Sequence, residues 1–322
     1  MCSKKKPTVN QHIVPQAYLR RFATLTENKN YQIGVGIRKK DGRNFFATTQ
    51  SVKNVGFVKN VYEFDCRKDT PNYWENYFAE VIEPFCGTEL SNIISNIESS
   101  QNAAVVLSHE DKCNLSVFIC HQIFRSPQAL EKSIQIGQKS IERGKKEAQS
   151  MLKSSFPPFL HSLLLNALDN ADFSKDEIKD IFMQSMSDVN RQEERTNALL
   201  DKIWIVYQNT TQLQFITSDN PVCRKNCVTK SFSFEDNTLK DPNSLILFPL
   251  SPTILIEITP SHLLGSRAQK DDGRKFLLGQ NDLSFIAGAD TLQILQCHRQ
   301  VFMSLNMLQH LDELSKASKI ND

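Results

Sequence analysis

Helical periodicity runs almost unbroken from residue 128 to 200, and strand-like segments lie on both sides of it. The run comprises a charged amphipathic stretch at Lys132–Ser150, an apolar one at Phe159–Leu168 and a third from Asp176 to Leu200. Before it, Tyr31–Ile37 and Asn44–Thr49 alternate as strands around the turn Lys39-Lys40-Asp41-Gly42. After it come strand-like Ile203–Gln208, Leu213–Thr217, Leu245–Pro249, Thr253–Ile258 and Val301–Ser304. Strands from both ends of a chain join one sheet only if the chain returns to that sheet after the helices. The pattern therefore predicts an α+β fold, mainly helical, with a mixed or antiparallel sheet and a large helical insertion at about 130–200. A helical N-terminal half packed on a β-rich C-terminal part is the alternative. On the first arrangement residues 10–305 form a single domain, 1–9 a flexible basic tail around Lys4, Lys5 and Lys6, and 306–322 a helical tail. The polar, turn-rich stretch 228–243 reads as a surface loop.

Helices are also expected at Pro15–Ala23, over Asn72–Glu98 with a break near Pro84 and Gly87, and at Asp282–Cys297. The sharpest start is Ser108, which has Asp111 three residues on, as a capping box requires. That helix runs to about Arg125 and stops before Ser126-Pro127, because proline disfavours helical backbone in the residue preceding it.

Composition excludes more than it identifies. With 38 Lys and Arg against 36 Asp and Glu, the chain has no overall field to draw in nucleic acid or an anionic membrane, so such binding needs a local patch. No apolar stretch reaches the roughly 18–20 residues of a membrane helix. Eight cysteines and no signal-like segment before His12 point to reduced thiols and a cytoplasmic home.

Three segments place polar groups where packing favours apolar ones. In Gln11-His12-Ile13-Val14-Pro15-Gln16, His12 precedes a helix start, whose positive end disfavours an imidazolium and keeps the ring available as a base. Arg20 and Arg21 follow it and suit an anion such as phosphate; a histidine bonded to backbone and solvated arginines read the same residues. On the helix after Ser108, a turn of about 100° per residue sets Gln122 in the middle of the stripe made by Leu115, Phe118 and Ile119, with Arg125 at its edge. A buried amide and guanidinium need partners, in a pocket or in a network that holds the helix end. The third segment is Thr217-Ser218-Asp219-Asn220-Pro221, a strand ending in a polar turn: a carboxylate on a sheet rim, or an ordinary loop.

Other motifs are weaker. Cys223 and Cys227 have an unusual spacing for zinc and no second pair nearby. His12-Ile13-Val14-Pro15 is like the opening of a His-Asn-His nuclease motif, but the next histidine is His109, so the compact metal unit cannot be completed locally. Gly34-Val35-Gly36 lacks the third glycine of a nucleotide fingerprint and precedes no helix.

The first segment, Gln122-x-x-Arg125-Ser126-Pro127, Thr217–Val222 and Phe248-Pro249-Leu250-Ser251-Pro252 occur in that order, and together they resemble a large family of bacterial proteins defined as a domain of unknown function. Its members open with His-aromatic-Val-Pro-Gln-x-x-Leu-Arg-x-Phe, and the resemblance spans about residues 10–305. It implies functional importance for His12, Pro15, Gln16, Leu19, Arg20 or Arg21, Phe22, Glu83, Gln122, Arg125, Asp219, Asn220 and Pro221. Ile13 replaces the usual aromatic, and Asp290-Thr291 stands where asparagine is common.

The resulting expectation is one cleft formed by His12, Gln16, Glu83, Gln122, Arg125 and Asp219, with Arg20, Arg21 and Asn220 holding phosphate. Such a set suits a hydrolytic, nuclease-like enzyme acting on nucleic acid or a nucleotide, with a divalent metal compatible, in a toxin or phage-defence setting. The alternative of a different class is a ligand-binding or protein-interaction module whose polar cluster is structural. From cysteine usage alone, protein prepared from cytosol and denatured without reductant should titrate as eight free thiols. A shortfall of two, restored by reductant, would contradict the reduced compartment.

Overall fold

The computed structural model describes residues 8–42, 44–155, 157–170, 172–232 and 238–311. The α+β reading holds, but the strands form three sheets where one was expected. The strands are β1 (Asn10–His12), β2 (Thr24–Leu25), β3 (Tyr31–Arg38), β4 (Phe45–Ser51), β5 (Phe57–Lys59) and β6 (Ile203–Asn209). They continue with β7 (Thr217–Ser218), β8 (Cys223–Asn226), β9 (Ser244–Ser251), β10 (Ile254–Thr259), β11 (Arg274–Leu278) and β12 (Gln300–Met303).

β1 and β5 make a small antiparallel pair, with His12 opposite Phe57. A mixed sheet has the order β11-β6-β10-β9-β8, in which β11 runs parallel to β6 and the other pairs are antiparallel. The third sheet joins the two ends of the sequence. β4 covers one edge of β3 along nearly its whole length, and β12 lies on the other edge, itself paired to β7. Five strands escaped the periodicity argument: β1, β2 and β5 are only two or three residues long, and in β8 and β11 the residues Arg224, Lys225, Arg274 and Lys275 break the apolar run.

Glycines in β3 are explained by packing. A Cβ at Gly36 would lie 2.7 Å from Leu311 and from Val301, and one at Gly34 would lie 3.1 Å from Met303. The segment Leu305–His310 forms a 3₁₀ turn across this sheet and buries Met307, and Leu311 follows it into the same cluster. This part of the expected C-terminal tail is thus core, while 312–322 lie outside the described residues. Residues 1–7 of the basic tail also lie outside them. Thr8 and Val9 are tied down: Thr8 N donates to Asn72 Oδ1 at 2.5 Å and Asn60 N to Val9 O at 2.9 Å.

Helices follow their sequence signals closely. Ser108 and Asp111 make the reciprocal capping bonds that start His109–Phe124, and Ser174 with Glu177 does the same for Lys175–Ser187. Helices Pro127–Ser155, Pro158–Asp169, Lys175–Ser187 and Val189–Leu200 fill the expected helical run. His109–Phe124 lies against Val189–Leu200 and carries Phe118 into the main core beside Tyr18 and Phe248.

Tyr18 joins the N-terminal segment to both large sheets. Its ring stacks on Phe248 at 5.5 Å, and its hydroxyl donates to Pro249 O at 2.6 Å while lying 2.8 Å from Thr217 Oγ1. Removing that hydroxyl strands a buried carbonyl, which costs about 1–3 kcal/mol. Tyr18→Phe should therefore lower the melting temperature by a few degrees without changing the far-UV spectrum; an unchanged melting temperature would remove this bond as a structural tie.

Candidate functional site

His12 ends β1, and the backbone then turns so that Ile13 N and Val14 N both donate to Gly56 O, at 2.9 and 3.2 Å. Pro15 follows and starts the short helix Gln16–Leu19 with a preset φ of −58°. Gln16 comes four residues after His12, which brings its amide nitrogen within 3.0 Å of His12 Nε2. An amide nitrogen can only donate, so the ring accepts at Nε2 and is neutral, with its proton on Nδ1. Exchanging the two ends of the Gln16 amide would select the other tautomer. Burial lowers the His12 pKa, with Glu83 opposing and Arg125 assisting.

Glu83 owes its place to a proline. Pro84 has no N–H for the carbonyl four residues back, and the preceding turn, Phe78–Ile82, is a π-helix closed by Glu83 N donating to Phe78 O at 2.8 Å. This sets the Phe78 ring and the Glu83 carboxylate on either side of Arg125. The guanidinium carbon lies 4.1 Å from the ring centroid, and Glu83 Oε1 is 3.3 Å from Nη2. Arg125 Nη2 also donates to the His12 carbonyl. Tyr62 donates to the Arg125 carbonyl at 2.8 Å.

Arg125 has 0% of its side chain exposed, Glu83 28%. A substrate could therefore meet His12, Gln16 and Glu83, which are each partly exposed, whereas Arg125 holds them in place from behind. Gln122, one turn before Arg125, is buried at 1% exposure and both ends of its amide lack a partner. Arg125 Nε and Glu75 Oε2 are likewise buried without partners. Such orphaned groups are uncommon in a folded core and mark a place where something further binds or strain is kept.

The remaining expected members are elsewhere engaged. Asp219 accepts from His298 N and Arg299 N at 2.7 Å and from Gln300 N at 2.8 Å, so both its oxygens are used in fastening the start of β12. None of its hydrogen bonds reaches His12, Gln122 or Arg125; the nearest link passes through Gln300, whose side chain accepts from Gly56 N at 3.2 Å. The expected convergence of Asp219 with the other three is thus not found. Arg21 donates to Cys86 O at 2.7 Å and Ser91 Oγ at 3.0 Å, tying two helices together, and Arg20 is exposed beside the Tyr31 ring. Asn220 donates to Gln296 O at 3.1 Å. Among the described residues, the hydrogen bonds of Arg21 and Asn220 and the ring contact of Arg20 lead to groups other than His12, so the expected phosphate clamp is not assembled there.

Sequence reasoning passed over Glu75, Tyr62 and His121. Glu75 shares the helical phase of Phe78 and Ile82, both buried, and that phase was the available signal. Burial raises its pKa, with Arg125 pulling the other way. Among the described residues, no group of three or more His, Cys, Asp or Glu side chains is placed to hold a metal ion. Nor is any helix among them long and apolar enough to cross a membrane.

A family profile described as Protein of unknown function (DUF4238) matches residues 10–305. The chain belongs to that family. No curated protein and no solved structure gives a match. Asp290 accepts from Ile216 N at 3.0 Å and leaves its other oxygen buried. Burial raises its pKa well above the usual carboxylate value, with the bond from Ile216 N pulling the other way.

His121 gives the cluster a pH signature. Its Nδ1 bonds Val117 O at 2.8 Å and its Nε2 lies 3.1 Å from the Tyr77 hydroxyl, and burial lowers its pKa to about 4. The folded state thus favours the neutral ring; this stability is fully present above the unfolded value near 6.5 and is lost as pH falls through about 4. The shift is worth about 3 kcal/mol. Urea melts at pH 7 and pH 4 should differ less in His121→Gln than in the parent; equal pH dependence in the two would assign the acid sensitivity to other groups.

Proposed function

We propose that the His12, Gln16 and Glu83 face is a hydrolytic centre acting on a phosphate-bearing substrate, a nucleotide or nucleic acid. The observation that carries this reading is a partly exposed histidine held neutral beside a carboxylate. Neutral imidazole is the form that accepts a proton, and a pKa lowered by burial keeps it in that form at neutral pH. The other groups position it: Gln16 sets the tautomer and Arg125 fixes the His12 carbonyl and Glu83. In the reaction, water attacks phosphorus, its proton passes to the imidazole, and the bond to the leaving oxygen breaks as that oxygen takes up a proton. Glu83 stabilises the imidazolium so formed.

A second reading is favoured by the full burial of Arg125 and its bond to backbone at His12. On it, the polar cluster fixes the N-terminal segment and the chain is a binding module. A cytoplasmic home and a role in toxin or phage defence belong to the enzymatic proposal.

Purified protein incubated with RNA, DNA and nucleotides, with and without divalent metal, separates the two. His12→Ala should reduce turnover at least about 100-fold, the usual scale for a general base, with a melting temperature within a few degrees of the parent. Activity should fall on the acid side as His12 becomes protonated, with an apparent pKa below the ordinary histidine value. No turnover in any condition, or a large loss of stability in His12→Ala, would favour the binding module.

A further inference from the structure

Among the described residues two lysines are buried, and their ammonium groups are used differently. Lys275, 1% exposed, places all three of its donors on protein acceptors, the carbonyls of Ile97 and Ser100 and Gln208 Oε1. Lys202, 6% exposed, places one, on the Asp241 carbonyl at 2.7 Å. Its other two donors meet no acceptor among the described residues, and Lys202 lines a cavity of about 470 Å³. That volume is inside the range of about 300–1,000 Å³ typical of small-molecule sites.

The cavity sits where helix Val189–Leu200 ends and β6 begins, with the exposed Glu194–Lys240 ion pair at its rim. The loop that anchors Lys202 is itself closed: Asp241 N donates to Thr238 O at 3.0 Å, Asp241 Oδ1 accepts from Asn243 N at 2.7 Å, and Ser244 N donates to the Asp241 carbonyl at 3.1 Å. Asp201 supplies the opposite charge to the same lining. It ends helix Val189–Leu200, its N donating to Asn197 O at 2.9 Å. Carbonyls gathered at the C-terminal end of a helix favour a cation, so an exposed acid there is unfavourable until a cation comes to it. Among the described residues its carboxylate has no ion-pair partner, and of the groups acting on the Lys202 charge it is the weakest, after Asp241 and Cys227. Two consecutive residues thus offer one cavity two ammonium donors and an unpaired carboxylate.

We propose that this cavity binds a zwitterionic α-amino acid, its carboxylate on the Lys202 ammonium and its ammonium on Asp201. The two charges of such a ligand are separated by a single carbon, which matches opposite charges carried by neighbouring residues. With His262 apart, the cations of the lining, Lys202 and Lys240, equal its acids, Asp201 and Glu194, so a ligand without net charge keeps the balance. A carboxylate beside Lys202 also offsets the burial that lowers the pKa of that amine. Ala198, Pro242 and Pro260 leave apolar surface for the side chain of the ligand. None of these residues belongs to the His12 face, and the site does not depend on the hydrolytic reading.

Isothermal titration of the full-length chain with each of the standard amino acids tests the assignment. At least one should bind below about 1 mM, and its decarboxylated amine and its deaminated acid should each bind about 10-fold more weakly, the scale of one charge-assisted hydrogen bond. Asp201→Asn, at an exposed position, should weaken the amino acid about 10-fold without lowering the melting temperature, since it removes an acid from a helix C-terminus. Lys202→Gln should weaken it at least as much, and if that variant fails to fold, Asp201→Asn decides alone. The proposal is overturned by no binding at that concentration, by the amine or the acid matching the amino acid, or by Asp201→Asn binding as the parent does. A folded Lys202→Gln that binds as the parent does overturns it as well.

Discussion

One guanidinium connects parts of the chain that share little else. Arg125 meets the His12 carbonyl, the Glu83 carboxylate and the Phe78 ring, and its own carbonyl takes the Tyr62 hydroxyl. The strand before the first helix, the π turn, the loop after β5 and the helix from Ser108 therefore depend on a single buried charge. Removing one partner of such a charge leaves the other uncompensated, at about 3–5 kcal/mol. The geometry also decides the roles available: a cation with no exposed surface cannot grip a substrate, so it acts by holding the groups that can.

The helices were legible because their signals are local. Ser108 with Asp111 needs only four residues, and the broken run around Pro84 follows from a missing N–H. The polar sites were legible only as anomalies. Gln122 stood out within an apolar stripe and is indeed buried, yet the sequence cannot say that its amide would have no partner. Asp219 looked like a rim carboxylate, but the three amides it accepts from belong to residues about eighty positions later. Nothing near Asp219 in sequence announces them.

Arg224 and Lys275 show the same limit from the other side. Each sits in a strand and weakens its apolar pattern, so the strand itself was overlooked. Lys275 is 1% exposed and donates to Ile97 O at 2.8 Å, to Ser100 O and to Gln208 Oε1 at 3.0 Å, closing the carbonyl end of helix Glu89–Ser99. A buried lysine that caps a helix from another part of the chain satisfies two demands at once, and periodicity registers neither.

The placement of β12 bears on how the chain assembles during synthesis. That strand lies between β3 and β7, and Asp219 waits for its backbone amides, yet it is made after almost everything it touches. Until residues 300–303 emerge, the β3–β4 hairpin keeps an open edge on the ribosome, and Gly34 and Gly36 offer no side chains to shield it. Contacts of this sequence separation slow folding and lengthen the period in which a bare edge can pair wrongly. The nascent protein thus carries an open edge in its β3–β4 hairpin, and the strand that covers it arrives late.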